Sequence, residues 1–419
     1  MLPSASSIAH GVGRLTDMVL AKGAGSFVWN VEGQKLLDFT SGIAVTSLGH
    51  CHPRIVEAVQ KQAGQLVHGQ ASVAYHEPMF KYSAALLPLL PQGLDSLSFF
   101  TTGAEAAENA VKLARHATEK PNVIVFQGGF HGRTIGAMSF TTSKTIYKAG
   151  FGPLASGVFV APYPYSLHSP FSNPCAQTIA WCLEQVELVL KQQTAPSETA
   201  AILIETVLGE GGYVPPPPGF LEGLNSLCHD HDILLIADEV QCGFGRTGEL
   251  FAIDGHYNTT PDILVMAKGI ANGYPLSAIA SRKDLTDLQP KGSMGGTYAG
   301  NAVSCAAALA TLDVFETENT LVNASVRGAQ LMAALTKLQD VYPILDVRGL
   351  GLMVAVELDT SVPPGTAARV AHACVGHGML LLPTSVYETL RFIPPLNVSA
   401  GEIELGVAIF AKALADALS

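Results

Sequence analysis

Charged side chains are scarce in this sequence. They make up 14% of its 419 residues, while hydrophobic residues reach 48%; an average globular chain is roughly 25% charged. We therefore expect much of the surface to be hidden in an oligomer. The formal net charge is −11 and no cluster of lysine or arginine stands out, so the chain lacks the electrostatic footprint of a nucleic-acid binder. An anionic substrate would have to be bound by individually placed arginines.

Long hydrophobic runs are also missing. The richest stretch, near 302–312, is alanine-rich and interrupted by Ser304 and Thr311, and it is shorter than the roughly 18 residues that a membrane span requires. Residues 1–7 have neither the basic and apolar regions of an export signal nor an arginine-rich amphipathic helix. We expect a soluble cytoplasmic protein with no membrane partner. An organellar matrix is the alternative if a presequence has been removed.

The cysteines supply no disulfide or metal framework. They are seven in number and scattered, and none forms a CxxC spacing, which indicates reduced, mostly buried thiols. His50, Cys51 and His52 suggest a metal site, but adjacent side chains diverge and no further ligand is spaced to join them. We predict no metal site.

The sequence does contain short apolar strands that alternate with helices. Strands are predicted at 98–100, 123–126, 158–160, 201–204, 233–237 and 263–267. The alternation is typical of an α/β fold with a mostly parallel sheet flanked by helices.

The two ends of the chain have a different pattern of predicted elements. A β-hairpin is predicted within 26–39, and helices alternate with two strands after residue 316. We expect these ends to form a small α+β domain. The predicted division is an N-terminal segment of the small domain (1–53), a large domain (54–316) and a C-terminal small domain (317–419).

Two of the predicted strands lead into charged side chains. Lys268 follows the run 263–267 and precedes a glycine-rich turn, and Asp238 follows the run 233–237. In open α/β folds, ligand sites form at the carboxyl ends of the strands, so we expect both side chains there. A primary amine can form a Schiff base with an aldehyde cofactor, and a carboxylate can hold a proton on a pyridine nitrogen. The pair predicts pyridoxal phosphate, bound within the large domain.

Two glycine-containing segments are candidates for binding the phosphate. Thr102-Gly103-Ala104-Glu105 has the spacing of a capping box and leads into a predicted helix over 106–117. The N-terminus of a helix offers free N–H groups and a partial positive charge. Gly295 to Asn301 is a second glycine-rich turn that enters a helix and carries the hydroxyl of Thr297. An ordinary capped helix is the alternative interpretation of the first segment.

Two further segments follow strands and contain possible ring-binding and charged residues. In Phe130-His131-Gly132-Arg133, the aromatic ring can stack on a flat cofactor and the arginine can bind a carboxylate. In the segment 205–212, Glu205 and Glu210 flank a flexible turn. Taken alone, the first could be a core aromatic beside a surface arginine, and the second a solvated loop.

Several of these motifs together resemble the class III pyridoxal-phosphate aminotransferases. The strongest are 238–248, 267–269 and 296–301, and the similarity extends from the hairpin near Trp29 to Arg391. It covers nearly the whole chain, with several long motifs in the same order. The resemblance implies the fold-type I architecture, amino transfer, and a homodimer with active sites at the subunit interface. It leaves open whether dimers pair into tetramers.

The resemblance also implies roles for individual residues around the cofactor. Lys268 would form the Schiff base and move the proton, and Asp238 would keep the pyridine nitrogen protonated. Val240 and Phe130 would sandwich the ring, and Gln241 would bond its phenolic oxygen. The full predicted cofactor-binding set is Gly103, Ala104, Phe130, His131, Glu205, Asp238, Val240, Gln241, Lys268 and Thr297.

Two of these positions concern the phosphate. Gly103 and Ala104 would bind it through their main-chain N–H groups, while Thr297 is expected to reach the phosphate of the neighbouring subunit. The family often has serine where Ala104 stands, so one hydroxyl contact is lost here.

The residues matched to the substrate are Ile43, Arg133, Glu210 and Arg391. By resemblance, Arg391 binds the α-carboxylate of glutamate or 2-oxoglutarate, and Glu210 covers that arginine when an ω-amino acid is bound. Arg133 would take the distal carboxylate. This arrangement suits an ω-amino acid donor and a 2-oxo acid acceptor.

Within the family, Ile43, 207–212 and 297–301 are most similar to 4-aminobutyrate aminotransferases. We therefore expect 4-aminobutyrate and 2-oxoglutarate to give succinic semialdehyde and glutamate. Because 42–53 and 130–134 also resemble acetylornithine aminotransferases, N-acetylornithine or ornithine is the alternative donor, followed by a broad ω-amine transaminase that uses pyruvate. From other classes, the fold also accommodates an aminomutase or racemase and a catalytically silent pyridoxal-binding protein.

Overall fold

The computed structural model describes residues 8–171 and 174–419. Within these ranges the central sheet has seven strands: β4 (Ser96–Phe100), β5 (Asn122–Phe126), β6 (Val158–Ala161), β7 (Thr199–Glu205), β8 (Leu234–Asp238), β9 (Ile263–Met266) and β10 (Ser277–Ser281). Their order across the sheet is β4-β10-β9-β8-β7-β5-β6. β10 alone runs opposite to the other six strands, which confirms the predicted α/β fold with a mostly parallel sheet.

Helices cover both faces of this sheet. On β5 and β7, Val125 and Leu203 pack with the helix α4 (Gly103–Thr118), while Ile124 and Ile202 belong to the core on the other face. Strands buried on both faces are apolar at nearly every position, which explains why the sequence revealed them. The remaining helices are α1 (Ser41–Ala44), α2 (Pro53–Ala63), α3 (Glu77–Leu86), α5 (Ile135–Phe140), α6 (Pro174–Gln192), α7 (Phe220–Asp230), α8 (Ala252–Gly255), α9 (Lys283–Thr286), α10 (Ala302–Thr317), α11 (Thr320–Thr336), α12 (Thr366–Gly376) and α13 (Ala400–Leu418).

Two smaller sheets lie outside the central one. The first contains β1 (Leu20–Ala24), β2 (Phe27–Asn30), β3 (Lys35–Asp38) and β13 (Met379–Leu380), and the second contains β11 (Ile344–Leu350), β12 (Met353–Leu358), β14 (Leu382–Thr384) and β15 (Thr389–Phe392). β13 pairs in parallel with β3, so one sheet combines strands from both ends of the chain. The predicted domain boundaries at 53 and 316 stay predictions.

Two properties of the described ranges bear on partners and metals. Across 8–171 and 174–419, no helix combines the length and the apolar character needed to cross a membrane. In the same ranges, no group of three or more His, Cys, Asp or Glu side chains could hold a metal ion. His50, part of the His-Cys-His segment, instead places Nε2 2.8 Å from Oδ2 of Asp38.

Candidate active site

A cavity of about 370 Å³ lies at the carboxyl ends of β7, β8 and β9. The position is the one expected for ligand sites in open α/β sheets. The structure brings nine of the predicted cofactor-binding residues to its walls: Gly103, Ala104, Phe130, His131, Glu205, Asp238, Val240, Gln241 and Lys268. Their roles toward a cofactor stay predictions.

Lys268 lies in the turn that follows β9 and lines the cavity. Its φ of 47° is in the left-handed region, where a residue other than glycine, asparagine or aspartate is uncommon. Burial lowers the pKa of the amine to about 8, with a further lowering by Arg391 that Glu205 and Asp238 oppose. Near pH 8 the amine is therefore available as a neutral nucleophile.

Asp238, at the end of β8, is held by two hydrogen bonds. Its Oδ1 accepts the N–H of Val240 at 2.9 Å, and its Oδ2 lies 2.7 Å from Nδ1 of His131. Burial lowers the pKa of His131, but the hydrogen bond and charge of Asp238, together with Glu205, outweigh it and raise the pKa above its usual value. The contact between His131 and Asp238 therefore fixes the direction of the carboxylate.

Glu205 ends β7 directly beside Asp238 in the sheet register. Its Oε1 accepts the N–H of Phe130 at 2.7 Å and its Oε2 accepts the N–H of Gly209 at 2.9 Å. Burial raises the pKa of Glu205 to about 7. Both carboxylate oxygens are thus engaged with the main chain, so Glu205 shapes two walls of the cavity.

The N-terminus of α4 forms another wall. The helix begins at Gly103, three residues before the predicted start at 106, because Thr102 caps it and Glu105 completes the predicted capping box. The first N–H groups of a helix have no acceptor inside the helix, so those of Gly103 and Ala104 are donors at the cavity. A side chain at Gly103 would place Cβ only 3.1 Å from Cγ1 of Val240, so a larger residue would press on Val240 at the cavity wall.

Val240 and Phe130 present apolar side chains to the cavity, and Gln241 presents an amide. The hydroxyl of Tyr213 donates to Oε1 of Gln241 at 2.7 Å, which leaves Nε2 of Gln241 as a donor. Tyr213 is fully buried. Tyr213 was not predicted from the sequence, because no spacing connects it to Gln241.

Glu210 and Arg391 form an ion pair beside this cavity. Nη1 of Arg391 donates to Oε2 of Glu210 at 2.7 Å. Oε1 of Glu210 accepts bonds from Nζ of Lys144 and the hydroxyl of Tyr147, both at 3.0 Å. Burial raises the pKa of Glu210, but Arg391 and then Lys144 outweigh it and lower the pKa to about 2. Lys144 and Tyr147 were not predicted from the sequence.

The other predicted residues lie at the edges of the site. Arg133 is exposed and its guanidinium carbon lies 4.5 Å from the ring centroid of Tyr147. Ile43 is 39% exposed and has a φ of 65° within α1. Thr297 is exposed and lies outside the set of residues that line the cavity. The predicted contact of Thr297 with a neighbouring subunit stays a prediction.

Comparisons with known proteins point to one family. Residues 7–414 match the family model described as aminotransferase class-III. A 5-aminovalerate aminotransferase from Pseudomonas putida is 39% identical over 418 residues, which cover 98% of this chain and 96% of that protein. A 4-aminobutyrate aminotransferase from Escherichia coli is 39% identical over 420 residues, with the same coverage of 98% and 96%. Among solved structures, the chain is similar to an amine transaminase from an uncultivated Pseudomonas species, in a form with bound pyridoxal phosphate. The two superpose with a TM-score of 0.91 at 30% identity, and the match covers 96% of this chain and 95% of that chain.

Proposed function

The chain belongs to the class III aminotransferases, and on that premise we propose that it transfers the amino group of an ω-amino acid to 2-oxoglutarate, with pyridoxal phosphate as its cofactor. The favoured donor is 4-aminobutyrate, which would give succinic semialdehyde and glutamate. The ion pair between Glu210 and Arg391 is the observation that carries the proposal.

The cavity has the donors and acceptors that pyridoxal phosphate requires. The N–H groups of Gly103 and Ala104 at the start of α4 suit its phosphate, and Asp238 offers an acceptor for a pyridine N–H. When bound, the cofactor supplies a carbon that carries the amino group and a ring that takes up electrons. Lys268 would attach the cofactor covalently and, with a pKa of about 8, is suited to accept and return a proton near neutral pH.

Three further side chains would position the ring. Phe130 and Val240 both line the cavity and would enclose the ring between them. The free Nε2 of Gln241, oriented by Tyr213, would donate to the phenolic oxygen. These contacts would fix the plane of the ring relative to Lys268, and a fixed orientation is a large part of catalysis.

Transamination requires one site to accept two different substrates in turn. An ω-amino acid has no carboxylate beside its amine, so it would leave the buried guanidinium of Arg391 without a substrate partner. An unpaired buried charge is costly, and Glu210 removes that cost by pairing with Arg391. When glutamate or 2-oxoglutarate binds, its α-carboxylate would replace Glu210.

The guanidinium of Arg391 has an unused hydrogen-bond donor for that exchange. Its bond to Glu210 uses one nitrogen, and its Nε is buried and has no hydrogen-bond partner within 8–171 and 174–419. A carboxylate prefers to bind arginine through two parallel bonds. An incoming α-carboxylate could therefore gain a contact that Glu210 does not make. Arg133, whose guanidinium carbon lies 4.5 Å from the ring centroid of Tyr147, would take the distal carboxylate.

The chain length of the amino donor distinguishes two candidates, 4-aminobutyrate and 5-aminovalerate. The 4-aminobutyrate aminotransferase from Escherichia coli and the 5-aminovalerate aminotransferase from Pseudomonas putida are equally similar to this chain, at 39% identity. One extra methylene in an apolar pocket changes specificity by only about 1–3 kcal/mol, so we expect both donors to react and 4-aminobutyrate to react faster.

We also expect a homodimer, or a pair of dimers, in which Thr297 of each subunit reaches the phosphate of the other. Exposed apolar side chains near this position support the proposal: Tyr298 is 66% exposed and Val67 is 60% exposed. Light scattering should give a particle mass of at least twice the chain mass of 43.9 kDa. A monomer that is fully active would contradict the shared site.

A panel of amino donors tests the proposed function. The holoenzyme is mixed with 4-aminobutyrate, 5-aminovalerate or N-acetylornithine, and single-turnover loss of the cofactor absorbance is followed. The product form is then mixed with 2-oxoglutarate or pyruvate. We expect 4-aminobutyrate and 2-oxoglutarate to give the highest rates. Faster reaction with N-acetylornithine, or with pyruvate as acceptor, would support the alternative assignment instead.

A further inference from the structure

The carboxylate of Glu210 divides its two oxygens between different partners. Oε2 accepts the bond from Arg391, whereas Oε1 accepts bonds from Lys144 and Tyr147. The Glu210 side chain is 12% exposed and the Lys144 side chain 25% exposed. Glu210 is thus bound to two cations at once, through separate atoms.

Lys144 and Glu210 both lie on segments that are fixed by other contacts. The segment of Lys144 is tied to the strand end of β5, because Thr142 Oγ1 donates to the carbonyl of Phe126 and Ser143 N donates to the carbonyl of Gly129. The carbonyl of Glu210 accepts bonds from Ser385 N at 2.8 Å and Thr384 Oγ1 at 2.9 Å. The Glu210 side chain can therefore change partners while its main chain stays in place.

We propose that Lys144 is a positioning residue that holds Oε1 of Glu210 in both substrate states, so that Glu210 can release Arg391 and still have a cation as partner. This inference rests on the proposed exchange between Glu210 and a substrate carboxylate at Arg391. Lys144 is then a second cation in that exchange, and its role lies in the half-reaction with glutamate and 2-oxoglutarate.

Lys144 matters because an unpaired charge in this site is costly. When a substrate carboxylate occupies Arg391, Glu210 without Lys144 would keep only the hydroxyl of Tyr147 as a partner. A part-buried carboxylate in that state is strongly disfavoured, so Glu210 would stay on Arg391 and compete with the substrate. With an ω-amino acid bound, Glu210 keeps Arg391 in any case. Loss of Lys144 should therefore affect the two half-reactions unequally.

The experiment compares Lys144→Met with the wild-type holoenzyme in separate single-turnover half-reactions. We expect kcat/KM for glutamate and for 2-oxoglutarate to fall by about tenfold or more, the order expected for one charge-assisted hydrogen bond. The half-reaction with the ω-amino acid should change by less than about threefold, a size typical of surface changes. Lys144→Arg, which keeps the cation, should restore most of the loss.

Lys148→Met is the matched control. Lys148 lies four residues along the same segment, and its Nζ approaches the carbonyl of Ser139 at 3.5 Å. We expect this variant to behave as wild type in both half-reactions. Cofactor absorbance and Tm of each variant check that the fold and the cofactor are retained. Equal slowing of both half-reactions by Lys144→Met would assign Lys144 a purely structural role and overturn the inference.

The double variant separates an action through Glu210 from a direct action on the substrate. In the Glu210→Ala background, Lys144→Met should cause no further loss with glutamate, because the carboxylate that Lys144 holds is gone. An undiminished loss there would show that Lys144 binds the substrate itself, and the inference would be wrong. If Glu210→Ala slows the two half-reactions unequally but Lys144→Met slows them equally, only this inference fails. If Glu210→Ala also slows them equally, the proposed exchange fails as well.

Discussion

Nδ1 of His131 lies 2.7 Å from Oδ2 of Asp238, and the two side chains are only 1% and 4% exposed. The hydrogen bond fixes the proton of the imidazole on Nδ1, facing the carboxylate. Since Oδ1 of Asp238 is held by the N–H of Val240, the carboxylate has one orientation in the cavity. His131 is thus a positioning residue for Asp238. Its prediction as a cofactor-binding residue did not specify this role.

Replacement of His131 should slow catalysis without removing the cofactor. In His131→Ala the bond to Asp238 is lost, and hydrogen bonds to charged groups contribute about 1.5–3 kcal/mol. We expect kcat to fall by about ten- to a hundredfold, with partial recovery in His131→Gln, whose amide can still donate. Rates and cofactor absorbance are measured together. Wild-type rates in His131→Ala would mean that Asp238 is oriented without it.

Asp238→Asn should retain the cofactor and lose most of the rate of proton abstraction. A neutral amide cannot stabilise a positive charge on the pyridine nitrogen, and such stabilisation amounts to several kcal/mol in a site shielded from water. Single-turnover rates with 4-aminobutyrate and with glutamate should both fall. If Asp238→Asn reacts at near-normal rates in both, Asp238 is not the partner of the pyridine nitrogen.

Lys268 should be the site of covalent attachment. Borohydride reduction of the holoenzyme followed by peptide mapping should find the pyridoxyl group on Lys268. Lys268→Ala should still take up cofactor through the other contacts, but it should lose steady-state turnover by several orders of magnitude, because both the nucleophile and the proton carrier are missing. A label on another lysine would contradict the assignment.

The lowered pKa of Lys268 predicts how cofactor capture depends on pH. Only the neutral amine attacks an aldehyde, so the rate at which the apoprotein captures pyridoxal phosphate should rise with pH, with a midpoint at about 8 instead of the usual 10.5. Arg391 contributes to the lowering after burial, so Arg391→Met should move the midpoint to higher pH. Stopped-flow absorbance at a series of pH values measures both. An unchanged midpoint in Arg391→Met would contradict the electrostatic part of this account.

The central sheet was predictable because most of its strands carry their own signal. β7, β8 and β9 are buried at every position, and such strands read as apolar runs. β10 was missed because Ser277–Ser281 consists mostly of small and polar residues, although all five are buried. β1 and β11 were missed as well; their residues are mostly exposed or half-buried, so they form no apolar run.

The site was predictable to the extent that it depends on strand ends and motifs. Lys268 and Asp238 follow from parallel strands that end at the same edge of the sheet, whereas the match of Glu210 to Arg391 came from family resemblance. Lys144, Tyr147 and Tyr213 could not be predicted in this way. Lys144 lies 66 residues from Glu210 along the chain, and only the packing of two irregular segments brings them together.

The most direct test of the whole account is the pair of single-turnover half-reactions of Glu210→Ala. The ω-amino acid half-reaction should be impaired by about 1–3 kcal/mol more than the glutamate half-reaction, because Arg391 then lies unpaired beside a substrate that has no carboxylate there. Arg391→Ala serves as the opposite variant and should slow glutamate and 2-oxoglutarate more. Equal losses with 4-aminobutyrate and glutamate in Glu210→Ala would contradict the exchange and remove the main support for an ω-amino acid donor.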